Sequence, residues 1–228
     1  MKSNLTQTVG KVLVAFSFLF VLSTSSYAQS DEKFSLDVTL NSDQFFGFYP
    51  FFTGSYAVSS TLDFTFYGIQ WSGGTGGAWG NWTEFGVGVS VDIAEGISFN
   101  PQIGILGGNL LSSGAGGASV LGDGFVPNLT IGIDRAKTEG ELYAGFYAPG
   151  RNKAPEGGTT LSFLHYWANF GYKVSPFFSV GGHYEHLINT GGSNVESATD
   201  TYQWLGPMCS LQIQMVVLWF VLPSVLTL

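Results

Sequence analysis

The chain has 228 residues, with 16 Asp and Glu against 8 Lys and Arg, a net charge of −8, and more aromatic residues (16%) than charged ones (11%). An acidic chain with scattered bases lacks the basic face that neutralises phosphates, which excludes nucleic acid as a partner. Its 32 glycines suit strands and turns better than helices, and a single cysteine, Cys209, excludes a disulfide scaffold.

The first predicted element is a targeting segment. Lys2 and Lys11 precede the apolar run VLVAFSFLFVL at 12–22, which is too short to span a bilayer comfortably. Ser26-Tyr27-Ala28 supplies small residues before a cleavage point, so residues 1–28 are read as a signal peptide removed after Ala28. Six bases then remain against sixteen acids, a net charge of −10. No cysteine follows the apolar run, so a lipoprotein anchor is not indicated.

Beyond it, period-2 alternation recurs and helical periodicity does not. FSLDVTL at 34–40 and FFGFYPFF at 45–52 read as a strand followed by a turn or second strand. LDFTFYG at 62–68 sets Leu62, Phe64 and Phe66 against Asp63, Thr65 and Tyr67. EFGVGVSVDIA at 84–94 sets Phe85, Val87, Val89, Val91 and Ile93 against Gly86, Gly88, Ser90 and Asp92. A short Ala94-Glu95-Gly96 connection suits a hairpin into ISFNPQIGI at 97–105. PNLTIGID at 127–134, ELYAGFYA at 141–148, SFLHYWANFGYK at 162–173 and FFSVGGHYEH at 177–186 follow. The total is about ten strands.

Tight connections at 94–96, 136–137 and 175–176 contrast with long Gly-rich ones at 73–80, 107–124, 149–158 and 189–200. That asymmetry suits a barrel with one short-turn rim and one long-loop rim. A secreted soluble β-sandwich used as a binding module is the competing architecture, but its water-facing side would carry charge. Here the polar faces hold Gly, Ser, Asn and Tyr, which fit the inside of a narrow barrel, and aromatics such as Trp71, Trp79 and Trp82 gather at strand ends as interfacial girdles do. The predicted fold is therefore all-β, an antiparallel up-and-down transmembrane β-barrel with about ten strands of some twelve, and its partner is outer-membrane lipid.

DFTFYGIQW at 63–71, WGNWTEFGVGVSVDIAEGISFNPQIGIL at 79–106 and FLHYWANFGYK at 163–173 resemble a family of uncharacterised small outer-membrane barrels of Gram-negative bacteria. The resemblance covers about residues 34–207. It implies a fold and an address, the cell outer membrane, and supplies no activity or catalytic residue.

Chemistry is sparse. The Gly-rich loops fit neither a dinucleotide fingerprint nor a phosphate loop. His183 and Glu185 share a strand face with Ser179, and His165 shares one with Asn169 and Lys173, so His165, His183 and Glu185 are expected to converge inside the barrel as a polar cluster. Ser179 stands about 13 Å from His183 along the strand, too far for direct proton transfer. A hydrogen-bonded network filling the lumen is the preferred reading, with no catalytic residue, metal or cofactor. A lipid-modifying or hydrolytic barrel enzyme using those residues is the alternative. Glu139 and Glu141 are read as a solvated pair at the rim, and the sequons at Asn81 and Asn128 as accidental. The expected role is structural, or a narrow pore for small solutes.

The stretch 208–228, MCSLQIQMVVLWFVLPSVLTL, carries no charge and is interrupted by Pro223. It is too short for an anchor once so broken. Moving the reading frame back one base permits a strand, an Asp-Gly turn and a second strand, so 208–228 is read as an aberrant, frameshifted tail following a barrel domain at 29–207. Such a tail is expected to pack poorly and leave an open sheet edge.

Overall fold

The computed structural model describes residues 33–43, 47–71, 82–108, 111, 119–150, 160–193, 195–213 and 216–221. The signal peptide expected at 1–28 lies outside them, as do Trp79, Asn81 and Pro223.

Among the described residues, eleven antiparallel strands form one sheet in strict chain order: β1 (Phe34–Asp43), β2 (Gly47–Ala57), β3 (Leu62–Trp71), β4 (Trp82–Ala94), β5 (Ile97–Gly108), β6 (Ser119–Asp134), β7 (Thr138–Pro149), β8 (Leu161–Ser175), β9 (Phe178–Gly192), β10 (Thr199–Ile213) and β11 (Val216–Val221). The sheet curls into an incomplete, half-closed barrel. Ten strands run 10 to 16 residues and the eleventh six. β6 begins at Ser119, so the loop expected at 107–124 is shorter than the sequence suggested.

Register fixes sidedness. Leu62 pairs with Val91, Phe66 with Val87, Val87 with Ile103 and Ile103 with Pro127, which carries one apolar face from strand to strand. That face is the exposed one: Phe64, Phe85, Val87, Ile103, Phe125 and Phe170 all lie open on it. Buried groups are polar as well as apolar, among them Thr65, Glu84, Asn128, His165 and Glu185. The molecule is thus reversed relative to a water-soluble sheet, whose exposed face is polar.

The turn joining β4 to β5 is two residues, Glu95 and Gly96, with Gly96 at φ 63°. A β-carbon at Gly96 would also stand 2.2 Å from Asp134 O, so glycine is required both by the left-handed backbone and by close approach to β6. The even-to-odd turns are all short, while the β3–β4, β5–β6 and β7–β8 connections at the opposite end are long.

Inward glycines serve a different purpose. A β-carbon at Gly86 would lie 2.1 Å from the Tyr67 ring, and one at Gly104 would lie 2.3 Å from its hydroxyl. Tyr67 therefore lies flat across β4 and β5 in space those glycines vacate. Gly104→Val is expected to displace it and cost about 1–3 kcal/mol by overpacking. Gly182→Ala, whose nearest neighbour would be 3.9 Å away, is expected to change little. Thermal or urea unfolding of the two variants compares them, and equal stability would contradict the packing described.

The boundary expected at Pro207 falls within β10. β10 runs through it, pairing Pro207 with Gly182, Met208 with Gly181 and Ser210 with Ser179. Met208 is 1% exposed, and its methyl group abuts the space beside Gly171. The poor packing expected of the tail therefore fails at its start: Met208 and Ser210 continue the inward alternation of Trp204 and Gly206, a period that the uncharged sequence obscured. β11 then pairs with β10 from Met208–Val221 to Ile213–Val216, and no strand pairs with the far edges of β1 or β11 among the described residues.

Candidate functional site

The concave face carries two hydrogen-bonded clusters and an apolar layer. In the first cluster, β8, β9 and β10 bring His165, Glu185, His183 and Tyr202 together. Glu185 Oε1 accepts from His165 Nε2 at 2.7 Å and from the Tyr202 hydroxyl at 2.6 Å, and Oε2 lies 3.1 Å from His183 Nε2. Asn169 Oδ1 holds the other ring nitrogen of His183 at 2.5 Å. Alternation forces this meeting. Trp167 pairs with Glu185 and Asn169 with His183 across β8–β9, while Trp204 pairs with Glu185 across β9–β10.

The cluster continues into β7. Trp167 Nε1 donates to Glu141 Oε1 at 2.6 Å, and the Trp167 ring stacks on Tyr143 with centroids 3.8 Å apart. Glu139 is buried and Glu141 half-buried. They are not the solvated rim pair expected, because β7 begins at Thr138 and sets both on the inward face.

The second cluster lies on β3–β6. Tyr67 donates to Glu84 Oε1 at 2.6 Å and accepts from Asn128 Nδ2 at 2.8 Å, with Glu84 wholly buried. Below it, Gln102 Nε2 donates to Thr65 Oγ1, which donates to Asn100 Oδ1 at 2.8 Å. Burial of Asn128 beside Tyr67 also removes it as a glycan acceptor.

At the long-loop end the lumen is apolar. Ile69, Leu106, Leu111, Val126, Phe163 and Leu187 pack with Tyr67 and Tyr147 into one cluster. Leu111 is fixed there by its N–H on Asp123 Oδ2 and its carbonyl on Leu161 N–H, each 2.8 Å. Between this layer and the short-turn end lies a cavity of about 280 Å³, walled by residues that include Asp37, Asp63, Thr65, Asn100, Gln102 and Glu141.

All three residues singled out from the sequence, His165, His183 and Glu185, meet in the lumen. Sequence reasoning missed Tyr202, Trp167–Glu141 and the Tyr67–Glu84–Asn128 chain. Tyr202 was detectable from the alternation of TYQWLG, but only register sets it opposite Leu187, one inward step from Glu185. His186 faces the other way. It bonds Tyr166 at 2.8 Å and Asp200 at 2.9 Å on the outward face, where Gln203 also bonds Tyr184. No group of His, Cys, Asp and Glu with metal-binding geometry occurs among the described residues.

A family model described as a family of unknown function, DUF6733, aligns with residues 1–223. The chain belongs to this family. The alignment extends past Pro207, where the resemblance read from the sequence stops, and includes most of the tail. No curated protein and no solved structure matches the chain.

Proposed function

We propose that this member of the family is an outer-membrane β-barrel with a structural role or a narrow passage for small solutes, and that it carries out no catalysis. One observation carries the reading: the exposed face of the sheet is apolar and the enclosed face polar. From β1 to β5, no outward register position holds Asp, Glu, Lys or Arg. Water would penalise so continuous an apolar surface, and lipid favours it. On β8–β10 the apolar field gives way to Tyr166, Tyr184, His186 and Gln203, the amphipathic chemistry of a membrane interface.

The lumenal groups support packing over turnover. Glu185 spends both oxygens on three donors, and the hydroxyl in the cluster, that of Tyr202, lies 3.0 Å from His165 Nε2 but donates its proton to Glu185 Oε1 at 2.6 Å. The apolar layer around Leu106, Leu111 and Leu187 obstructs the long-loop end, which favours a structural role or a restricted passage over an open channel.

Fractionation of cells expressing the full chain tests the address. The protein is expected in the outer-membrane fraction, migrating faster on a gel unheated than after boiling. Recovery in the soluble periplasm, with no heat-dependent shift, would sink the proposal in favour of a soluble sheet.

A further inference from the structure

Leu111 belongs to the connection between β5 and β6, yet it is bonded to β8. A residue that joins neighbouring strands ordinarily stays over those two strands, in water. Leu111 is wholly buried instead, and its carbonyl accepts from Leu161 N–H at the start of β8, two strands beyond β6. The backbone at this residue therefore lies across the long-loop end of the lumen.

Three features of β6 make a seat for it. At Gly122, with φ 88°, the backbone is left-handed, and the pairing slips: Leu106 faces Gly124 while Gly108 faces Ser119. Past the slip, Asp123 and Gly124 are both buried, where regular alternation would turn one of them outward. Asp123 Oδ2 then accepts from Leu111 N–H at 2.8 Å, and the Asp123 carbonyl accepts from Gly150 N–H at 2.9 Å. Gly124 leaves the space: a β-carbon there would lie 2.4 Å from Leu111 Cδ1. Burying a carboxylate is costly, so its use on the backbone of a connecting residue marks a position that must be held. From Gly124 toward the short-turn end, the inward positions of β6 are Val126 and then Asn128. Leu111 thus stands between the long-loop end and the polar interior.

We infer that Leu111, strapped to Asp123 and Leu161, is an internal seal that keeps ions and charged solutes out of the lumen from the long-loop end. An apolar constriction excludes an ion because it offers nothing to replace the hydration shell. Leu106, Val126, Phe163 and Leu187 extend that constriction around Leu111. The inference deepens the reading of the chain as a narrow passage and rests on it for what the seal is for. The seal itself is a property of the folded chain and is measured without a membrane.

The test is thiol labelling of the full chain folded in detergent micelles. Cys209→Ser removes the native thiol, Val126→Cys places one under the seal, and the probe is a trimethylammonium methanethiosulfonate. A buried thiol reacts only through local opening, so labelling is expected to be slow with Leu111 in place and to rise about tenfold or more with Leu111→Ser or with Asp123→Ala. Leu111→Met, which keeps the constriction apolar, is expected to label as slowly as Leu. Far-ultraviolet circular dichroism establishes that each chain is folded, and Leu111→Ala takes the place of Leu111→Ser where serine prevents folding. Fast labelling with Leu111 and Asp123 intact, or equal rates in folded chains with and without them, would overturn the inference. Ion conductance across planar lipid bilayers separates the seal from the passage. A silent chain that conducts once Leu111 is serine supports both, whereas faster labelling without conductance in any variant keeps the seal and removes the passage.

Discussion

Arginine at Val87 is expected to destabilise the folded barrel by about 2–4 kcal/mol in lipid, and arginine at Ser90 by much less. Val87 sits mid-strand on β4, paired with Phe66 and Ile103 on the exposed apolar face. If that face meets hydrocarbon, a guanidinium there loses its hydration and finds no partner. Ser90 is paired with Asp63 on the enclosed face, so an arginine at that position gains a carboxylate neighbour in a polar space. The comparison discriminates between architectures. In water, a charge at an exposed position such as Val87 changes stability by only a few tenths of a kcal/mol. Urea unfolding of both variants in phospholipid vesicles measures the difference, and equal tolerance on the two faces would refute the assignment of sides.

Loss of the Glu185 carboxylate is the second large effect. Glu185→Ala removes the acceptor that His165, His183 and Tyr202 share, at about 1–3 kcal/mol for each lost buried bond, while the Tyr202 hydroxyl, 3.0 Å from His165 Nε2, keeps that contact. Water entering the vacated space offsets part of this, so a net loss of about 3 kcal/mol is expected. Glu185→Gln keeps the shape and one acceptor oxygen, and should lose about 1 kcal/mol. These numbers separate a packing network from a catalytic one. A network loses stability in proportion to the hydrogen bonds removed, while an enzyme with Glu185 as its base would keep its fold in the Gln variant and lose turnover. Denaturant midpoints for the wild type and both variants give the ranking. A Gln variant as unstable as Ala, or an Ala variant as stable as the wild type, would contradict the network.

The sidedness of nearly every strand was legible because side chains alternate with period two wherever the backbone is extended. Val87 and Gly88, Ile103 and Gln102, or Leu129 and Asn128 could be sorted to opposite faces without any knowledge of their neighbours, and β-hairpin order followed from short connections such as Glu95-Gly96. The same rule put His165, His183 and Glu185 on inward faces. It could not say how far any strand slides against the next. That shift is set by ladder hydrogen bonds summed over whole strands, and it decides that Tyr202 reaches Glu185 and that Asn128 meets Tyr67 three strands away.

The limits of the sequence are clearest at two places. Glu139 and Glu141 read as rim residues because local charge, with Lys137 beside them, suggests water; the register of β8 on β7, which pairs Tyr143 with Trp167, instead brings Trp167 to Glu141. Pro207 read as an end because the stretch after it, 208–228, carries no charge and reads as a frameshifted tail. In the folded chain it pairs with Gly182, and β10 continues to Ile213. Composition and alternation by themselves determined an all-β chain with one polar and one apolar face, since both depend only on residue type and spacing. Which polar groups satisfy one another, where the lumen is filled and where a cavity remains were decided by tertiary structure alone, because each depends on the register and curvature that bring distant strands within hydrogen-bonding reach.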